Sequence, residues 1–337
     1  MIDSLFPINF SNTTMTDIWK CELYFFRKYC QRMVNNTYKS SDLIAGGNFA
    51  KACELVRKAY FNEKLSEEDS IDRGCTFLLE AEDTGDSNKS NERLSFTLRK
   101  YFERFRLDSL LTPVKLSNGE HAIEYEFNFE LPIKHPEIAN QNLVFKGKLD
   151  GLYERKFLDK RVGVYIVDEK TTGGLARIKG TKIVDIVREE GQYLTDSQMI
   201  AYSWAAQQLG VKVDGALIRK VPILSNHEDS FELEIKITDF MIQHWSATTL
   251  NKIEELVGKY MYYKENKVPQ EAFYPAYSSN ACNSYSRQCT YIKGCMSEHG
   301  EDILASDMKQ VVWDSLNKKE ISLKEYKNNL QFEETYK

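Results

Sequence analysis

Near Ala122 the apolar period of the chain switches from that of a helix to that of a strand, and this switch limits the possible folds more than any other feature. Upstream, Ile18, Trp19, Leu23, Phe26 and Tyr29 recur at helical spacing and predict a helix over 14–35, with Thr14 and Asp17 as a capping pair. A second helix is predicted from about Phe49 to Phe61, entered through Gly46-Gly47, and a third from about Asn91 to Arg106. Between them residues 62–90 are acidic and polar, with an exposed loop expected over 84–90. Downstream, Ile123, Tyr125, Phe127 and Phe129 alternate with Glu124, Glu126, Asn128 and Glu130, as in a half-buried strand. Strands predicted at 143–153 and 162–170 are joined through a turn at Lys160-Arg161, which suggests an antiparallel hairpin. A polar, glycine-containing loop covers 171–194, and a helix over 195–209 stops at Gly210. Strands at 215–221 and 230–237 and a helix over 238–265 complete the core. Helices first, then a sheet interrupted by one helix, describe an α/β or α+β domain.

Composition adds exclusions. The chain has 337 residues, 42% of them hydrophobic and 28% charged, which is globular usage and not that of a disordered chain. No apolar run approaches the roughly 18 residues of a membrane span. The first ten residues carry Asp3, no basic segment and no long apolar stretch, so a soluble, non-secreted, cytoplasmic protein with no membrane partner is expected. The formal net charge of −5 does not advertise a polyanion partner, although it leaves room for a local basic groove. Seven cysteines, an odd number without an export signal, argue against a disulfide framework. No phosphate-binding G-x-x-x-x-G-K-[ST] order, H-E-x-x-H or G-x-S-x-G occurs, so any unwinding of a duplex would need a helicase or recombination partner.

Asp150 ends the segment Phe145-Lys146-Gly147-Lys148-Leu149-Asp150, and Asp168 and Lys170 lie two apart on the next strand, on one face. Val162, Val164 and Ile166 share that face, so the charges sit beside the core, where unpaired charge is costly. Two carboxylates suit a hard cation such as Mg2+ or Mn2+, and a nearby lysine can orient or deprotonate water. The alternative from spacing alone is a surface hairpin with an ordinary Asp–Lys salt bridge.

Gly147-Lys148-Leu149-Asp150, then Val167-Asp168-Glu169-Lys170, then Gln198-x-x-x-Tyr202, resemble in order and spacing the PD-(D/E)xK nuclease superfamily, in its RecB/Cas4-type exonuclease branch. The resemblance covers about residues 14–300. It implies a restriction-endonuclease-like α/β core, a mixed central sheet flanked by helices. It divides the chain into a helical region at 1–110, a nuclease core at 111–275, a cysteine-rich loop at 276–300 and a charged tail at 301–337. Asp150 and Asp168 would be metal ligands together with the backbone carbonyl of Glu169, Lys170 would assist the attacking water, and Gln198 and Tyr202 would line the active site or DNA path. The substrate implied is DNA, with single-stranded ends preferred.

The sequence departs from that branch where a first-helix histidine is expected, because Ala50 occupies the position. Glu54, one turn on, is either a substitute ligand or a solvated helix residue, and none of His121, His135, His227, His244 and His299 is placed to serve. Gln198 also fits a T-x-x-Q capping box starting at Thr195, and Tyr202 could be core. Cys282-x6-Cys289-x5-Cys295 offers three soft ligands in one loop. The branch often carries a [4Fe–4S] cluster with an N-terminal thiolate, which the resemblance places at Cys21, although its usual C-x2-C pair is x6 here. A Zn2+ staple and unliganded thiols are the alternatives. In either metal case, closing the chain from residue 21 to residue 295 would contribute mainly to stability. Arg93, Arg99, Lys100, Arg104 and Arg106, interleaved with Phe96, Tyr101, Phe102 and Phe105, form either a basic-aromatic strand-binding helix or an amphipathic helix packed inward. Further basic residues are Lys156, Lys160 and Arg161 in the hairpin turn and Arg177, Lys179, Lys182 and Arg188 after the catalytic strand.

Overall fold

The first predicted helix breaks at Cys21. After β1 (Asn9–Phe10), α1 spans Asn12–Lys20 and α2 spans Glu22–Phe25, with a π-helical turn over Phe26–Cys30. Between them Cys21 is extended (φ −167°, ψ 117°), so it closes one helix and opens the next. The cap of α1 is Ser11, whose hydroxyl accepts from the Thr14 amide at 3.2 Å. Asp17, expected in the cap, instead accepts from Lys28 and from the Tyr29 hydroxyl, each at 2.8 Å. β2 (Met33–Val34) follows.

The computed structural model describes residues 3–34, 40–107, 110–157, 160–181, 183–224, 229–284, 287–314 and 319–335. His227 and Lys182 lie outside the described residues. The chain forms two compact units, one made of Met1–Thr37, Asn128–Lys146 and Ala247–Lys337, the other of Tyr38–Phe127 and Gly147–Ser246.

In the second unit α3 runs over Ser41–Phe61 from a Ser40 cap, so Gly46-Gly47 lie inside this helix rather than at its entry. Residues 62–90 are not simply polar chain: α4 (Glu67–Glu80) starts at Ser66, whose hydroxyl accepts from the Asp69 amide at 3.0 Å, with three acids in its first turn. Within 84–90, Thr84 and Lys89 are buried, contrary to the exposed loop expected there. α5 (Asn91–Arg104) is capped by Ser90. Then come β3 (Leu111–Pro113), β4 (Ile123–Lys134), β5 (Asn142–Lys156) and β6 (Val162–Thr172). The loop after β6 holds a short helix, α6 (Ile186–Gly191), and α7 (Ser197–Gln208) ends before Gly210, whose φ of +78° favours glycine. β7 (Gly215–Pro222), β8 (Phe231–Lys236) and α8 (Asp239–Asn266) follow.

This is the α/β class expected, a mixed central sheet flanked by helices. β5 and β6 are antiparallel as the hairpin reading predicts, β6 and β7 are parallel, and β8 returns antiparallel to β7. The parallel step needs a crossover, which α6 and α7 supply. One sheet face, with Tyr153, Tyr165, Val167 and Leu217, packs with Phe49, Val56, Leu98 and Phe102 of α3 and α5 in a single buried cluster. Burial of aromatics there gives this unit its largest apolar contribution.

The first unit contains β1, parallel to β5 at Asn9↔Val144, and an aromatic core in which Phe26 meets Phe273 and Tyr263 at ring separations of 4.6 Å. Its later elements are α9 (Pro269–Ala272), α10 (Ser279–Cys282), β9 (Asn283–Ser284), β10 (Arg287–Gln288), α11 (Ile292–Cys295) and α12 (Gly300–Asp307). β11 (Lys309–Asp314), β12 (Lys319–Ser322) and α13 (Leu323–Thr335) complete the chain, with β11 pairing β2. Among the described residues no helix is long and apolar enough to cross a membrane.

Candidate active site

The β5–β6 ladder runs in register from Lys156↔Val162 to Leu152↔Ile166. Asp150 and Asp168 each lie two residues beyond that last pair, so the pleat turns both to one face. They stand close enough that the Asp168 charge acts directly on the Asp150 carboxyl. Gly147 and Gly151 flank Asp150, and a Cβ on either would run into the ring of Phe127 or Tyr153, so the strand closes on its neighbours here only with glycine.

Asp168 is fully buried. Lys170 Nζ donates to its Oδ1 at 3.0 Å and to Gln198 Oε1 at 2.9 Å, and Gln198 Nε2 donates to the Tyr202 hydroxyl at 2.9 Å. Lys170 Nζ also lies 2.9 Å from Asp168 Oδ2, yet that oxygen has no hydrogen-bond partner. Gln198 therefore serves the site and not a capping box: Asp196 caps α7, accepting from the Gln198 amide at 2.6 Å. Burial pushes the Asp150 carboxyl well above its ordinary range, and the neighbouring Asp168 adds to the rise. Burial also raises Asp168, against the pull of Lys170. Burial opposes the charge of Lys170, but Asp168 and Asp150 outweigh it and hold its pKa above normal. As it stands, Lys170 is an ammonium and a hydrogen-bond donor, not a base.

Glu169 points to the opposite face. Arg57 of α3 donates to it through both terminal nitrogens, Nη1 at 2.9 Å, and the Tyr101 hydroxyl donates at 2.6 Å. Burial resists this charge, yet Arg57 carries its pKa down to about 2. Its side chain is thus committed beneath the sheet, away from Asp168; a carbonyl role is independent of that commitment.

Glu54 is 5% exposed and not a solvated helix residue. Lys51 and Lys58 each approach it at 2.8 Å and Lys148 at 3.5 Å, and despite burial these hold its pKa down to about 2. Lys148 also lies 2.7 Å from Glu124. The alternation reading assigns Glu124 to a polar strand face, but its side chain is nearly enclosed and its backbone adopts φ +51°, a strained value for a non-glycine residue. Burial raises its carboxyl pKa, and its charge adds to the field on Asp150. Nothing in the local sequence separates Glu124 from Glu126. Arg57 had a legible signal, a charge four residues after Cys53 on the buried side of α3.

The loop after β6 is fixed to the sheet by Glu189, which is buried against Lys220 of β7 and accepts from the Ala176 amide. Lys179 and Arg188 are exposed on it, and Arg177 is half-buried. On α5, Tyr101 and Phe102 pack inward, Arg99 pairs with Asp72 at 2.6 Å and Arg106 with Glu67 at 2.9 Å. Phe96 stays 48% exposed, so the inward reading holds for most of that helix's aromatics.

Among the described residues no group of three or more His, Cys, Asp or Glu side chains is assembled to hold a metal ion. Asp150 and Asp168 nonetheless suit a divalent cation: a half-buried carboxyl faces a fully buried one, and one Asp168 oxygen lacks a hydrogen bond. Mg2+ characteristically rests on one or two carboxylates and takes its other ligands from water and phosphate.

In the first unit Cys21, Cys282, Cys289 and Cys295 are free thiols that line one cavity of about 30 Å³, walled also by Tyr24 and Tyr291. The extended backbone at Cys21 is what breaks the helix at this point. Burial raises the Cys289 and Cys295 thiols, the latter to about 11, with the other cysteines adding to the rise. Cys30, Cys53 and Cys75 are buried elsewhere.

No family model matches this chain, and no curated protein matches it. Among solved structures, the crystal structure of a candidate exonuclease from Eubacterium rectale is similar at 16% identity and a TM-score of 0.42, covering 86% of this chain and 92% of the other.

Proposed function

We propose that this protein is a metal-dependent DNA nuclease acting on single-stranded ends as an exonuclease. The observation that carries the reading is the meeting of Asp150, Asp168 and Lys170 at one sheet face, with Gln198 and Tyr202 of α7 completing a hydrogen-bonded line. Asp150 and Asp168 would hold Mg2+ or Mn2+, which supplies Lewis acidity and charge neutralisation toward a phosphodiester. Lys170, charged and held between Asp168 and Gln198, would donate to a phosphate oxygen or orient the attacking water. Gln198 fixes the lysine's second hydrogen bond, and Tyr202 fixes Gln198. Lys179 and Arg188, exposed on the loop after β6, would contact the strand's phosphates.

A non-catalytic DNA-binding or assembly module on the same fold is the second reading, favoured by the absence of a third acid at the pair among the described residues. Incubation of a 5′-labelled single strand with Mg2+ or Mn2+ separates the two. The nuclease reading expects shortening of the strand by wild type, none with chelator, and a loss of about 10²-fold or more in Lys170→Ala. Binding without cleavage under either metal would leave the module reading.

The four-cysteine cavity is proposed as a structural metal site, [4Fe–4S] or Zn2+, because four free thiols line one small space, although they are not drawn together as a ligand set in this structure and would have to close on the metal. Protein purified without oxygen should contain either about four irons and be brown, or one zinc and be colourless. Cys289→Ser should lower that metal content and the melting temperature together, and metal-free wild type would rule the site out.

A further inference from the structure

Beyond the other end of β5, the second unit carries a cavity of about 750 Å³ that the carboxylate chemistry does not use. Arg104, Arg106, Arg155, Lys156, Arg161 and Arg219 line it, and Glu232 is the one acid among the described lining residues. These residues come from the end of α5, the hairpin and two further strands, in a protein whose net charge is −5. Glu232 answers two guanidiniums at once, Arg155 at 2.8 Å and Arg219 at 2.9 Å. Arg106 finds its acid, Glu67, outside the lining. Among the described lining residues basic side chains thus outnumber acidic ones six to one, a surface that suits an anionic ligand.

Its aromatic side is equally specific. Arg155 and Arg161 each lie 5.1 Å from the ring centre of Phe157, and Arg219 lies 4.2 Å from that of Phe105. Guanidinium planes and phenyl rings side by side are the surfaces on which a base stacks, and arginine forks match phosphate oxygens. The volume falls within the range of small-ligand sites. Position separates this cavity from the carboxylates. Arg155 is five residues from Asp150 on β5, roughly 17 Å along the strand and on the opposite face. Arg219 is in register with Glu169, again on the face away from Asp168.

We propose that this cavity binds a nucleotide unit, its base against Phe157 and Phe105 and its phosphate on Arg104, Arg155 and Arg161, at a site separate from Asp150 and Asp168. The ligand is either a free nucleotide or one unit of a single strand, since both present the same chemistry. The assignment does not depend on cleavage.

The test is equilibrium binding by the full chain in chelator, which removes any cleavage, using fluorescent ATP and a fluorescent oligothymidylate in separate titrations. Wild type should bind at least one of them, and Arg104→Glu/Arg161→Glu should weaken that binding about tenfold or more. Both positions are exposed, so the variant should fold, and a matching melting curve confirms it. Phe157→Ala should weaken binding to a similar degree, and unlabelled ATP or oligothymidylate should compete better than inorganic triphosphate. Loss confined to ATP identifies a free nucleotide, and loss confined to the oligonucleotide identifies a strand; either supports the site. No binding of either probe by wild type, unchanged binding in both variants, or equal competition by triphosphate overturns it. Cleavage by wild type, measured separately, can fail or succeed without altering these outcomes.

Discussion

Asp168→Asn is expected to abolish strand cleavage, by on the order of 10³-fold, while leaving the protein folded and no less heat-stable without metal. Asp168 is fully buried and acts electrostatically on Asp150, so the pair places two acids where desolvation disfavours both charges. Asparagine keeps the shape and removes one of those charges, which relieves the metal-free fold. It also removes half of the proposed anionic ligand set and the carboxylate that holds Lys170, an effect of several kcal/mol expected on a charged transition state. Cleavage assays and melting curves on the same preparation check both halves. Residual activity within tenfold of wild type would mean that Asp168 is not part of the chemistry, and a sharp drop in melting temperature would mean that it is structural.

The largest effect on stability is expected from Arg57→Ala. Arg57 and Glu169 have side chains 3% exposed, and Tyr101 closes the other side of the carboxylate. Removing the guanidinium leaves a buried anion held by the Tyr101 hydroxyl and the more distant charge of Arg219, a loss of about 3–5 kcal/mol. Urea unfolding should show the midpoint falling accordingly, and adding Glu169→Gln to Arg57→Ala should recover part of the loss by deleting the stranded charge. If Arg57→Ala unfolds at the wild-type midpoint, the ion pair is not an anchor of β6. The pair sits directly behind Asp168 and Lys170, so its removal should also reduce cleavage at temperatures where the variant remains folded.

Much of the sheet was legible because its signal is periodic. The alternation after Ala122 and the apolar faces of 143–153 and 162–170 predict the strands and their antiparallel hairpin, and Asp150, Asp168 and Lys170 follow from counting along them. Readings failed where one residue's conformation or a distant partner decided the outcome. Cys21 is extended between two helices that look continuous in sequence. The T-x-x-Q pattern at Thr195 has the right local spacing, but Lys170, 28 residues away, captures the Gln198 side chain. α4 is hidden by its acids, although Ser66-x-x-Asp69 is a helix start and Ile71, Cys75 and Leu78 keep helical spacing behind it. The basic cavity was visible only as scattered charges at 104–106 and 155–161, since register and strand order bring them together.

The route of the chain between its two units has a consequence for dissection. All of the unit holding Asp150 and Asp168 lies within 38–246, with 128–146 as an excursion from it, whereas the cysteine-bearing unit is assembled from three separated stretches. A single internal fragment can thus contain every residue of the carboxylate site. No fragment shorter than nearly the whole chain contains Cys21 together with Cys295, so end-deletions would remove the two sites unequally, the thiols first.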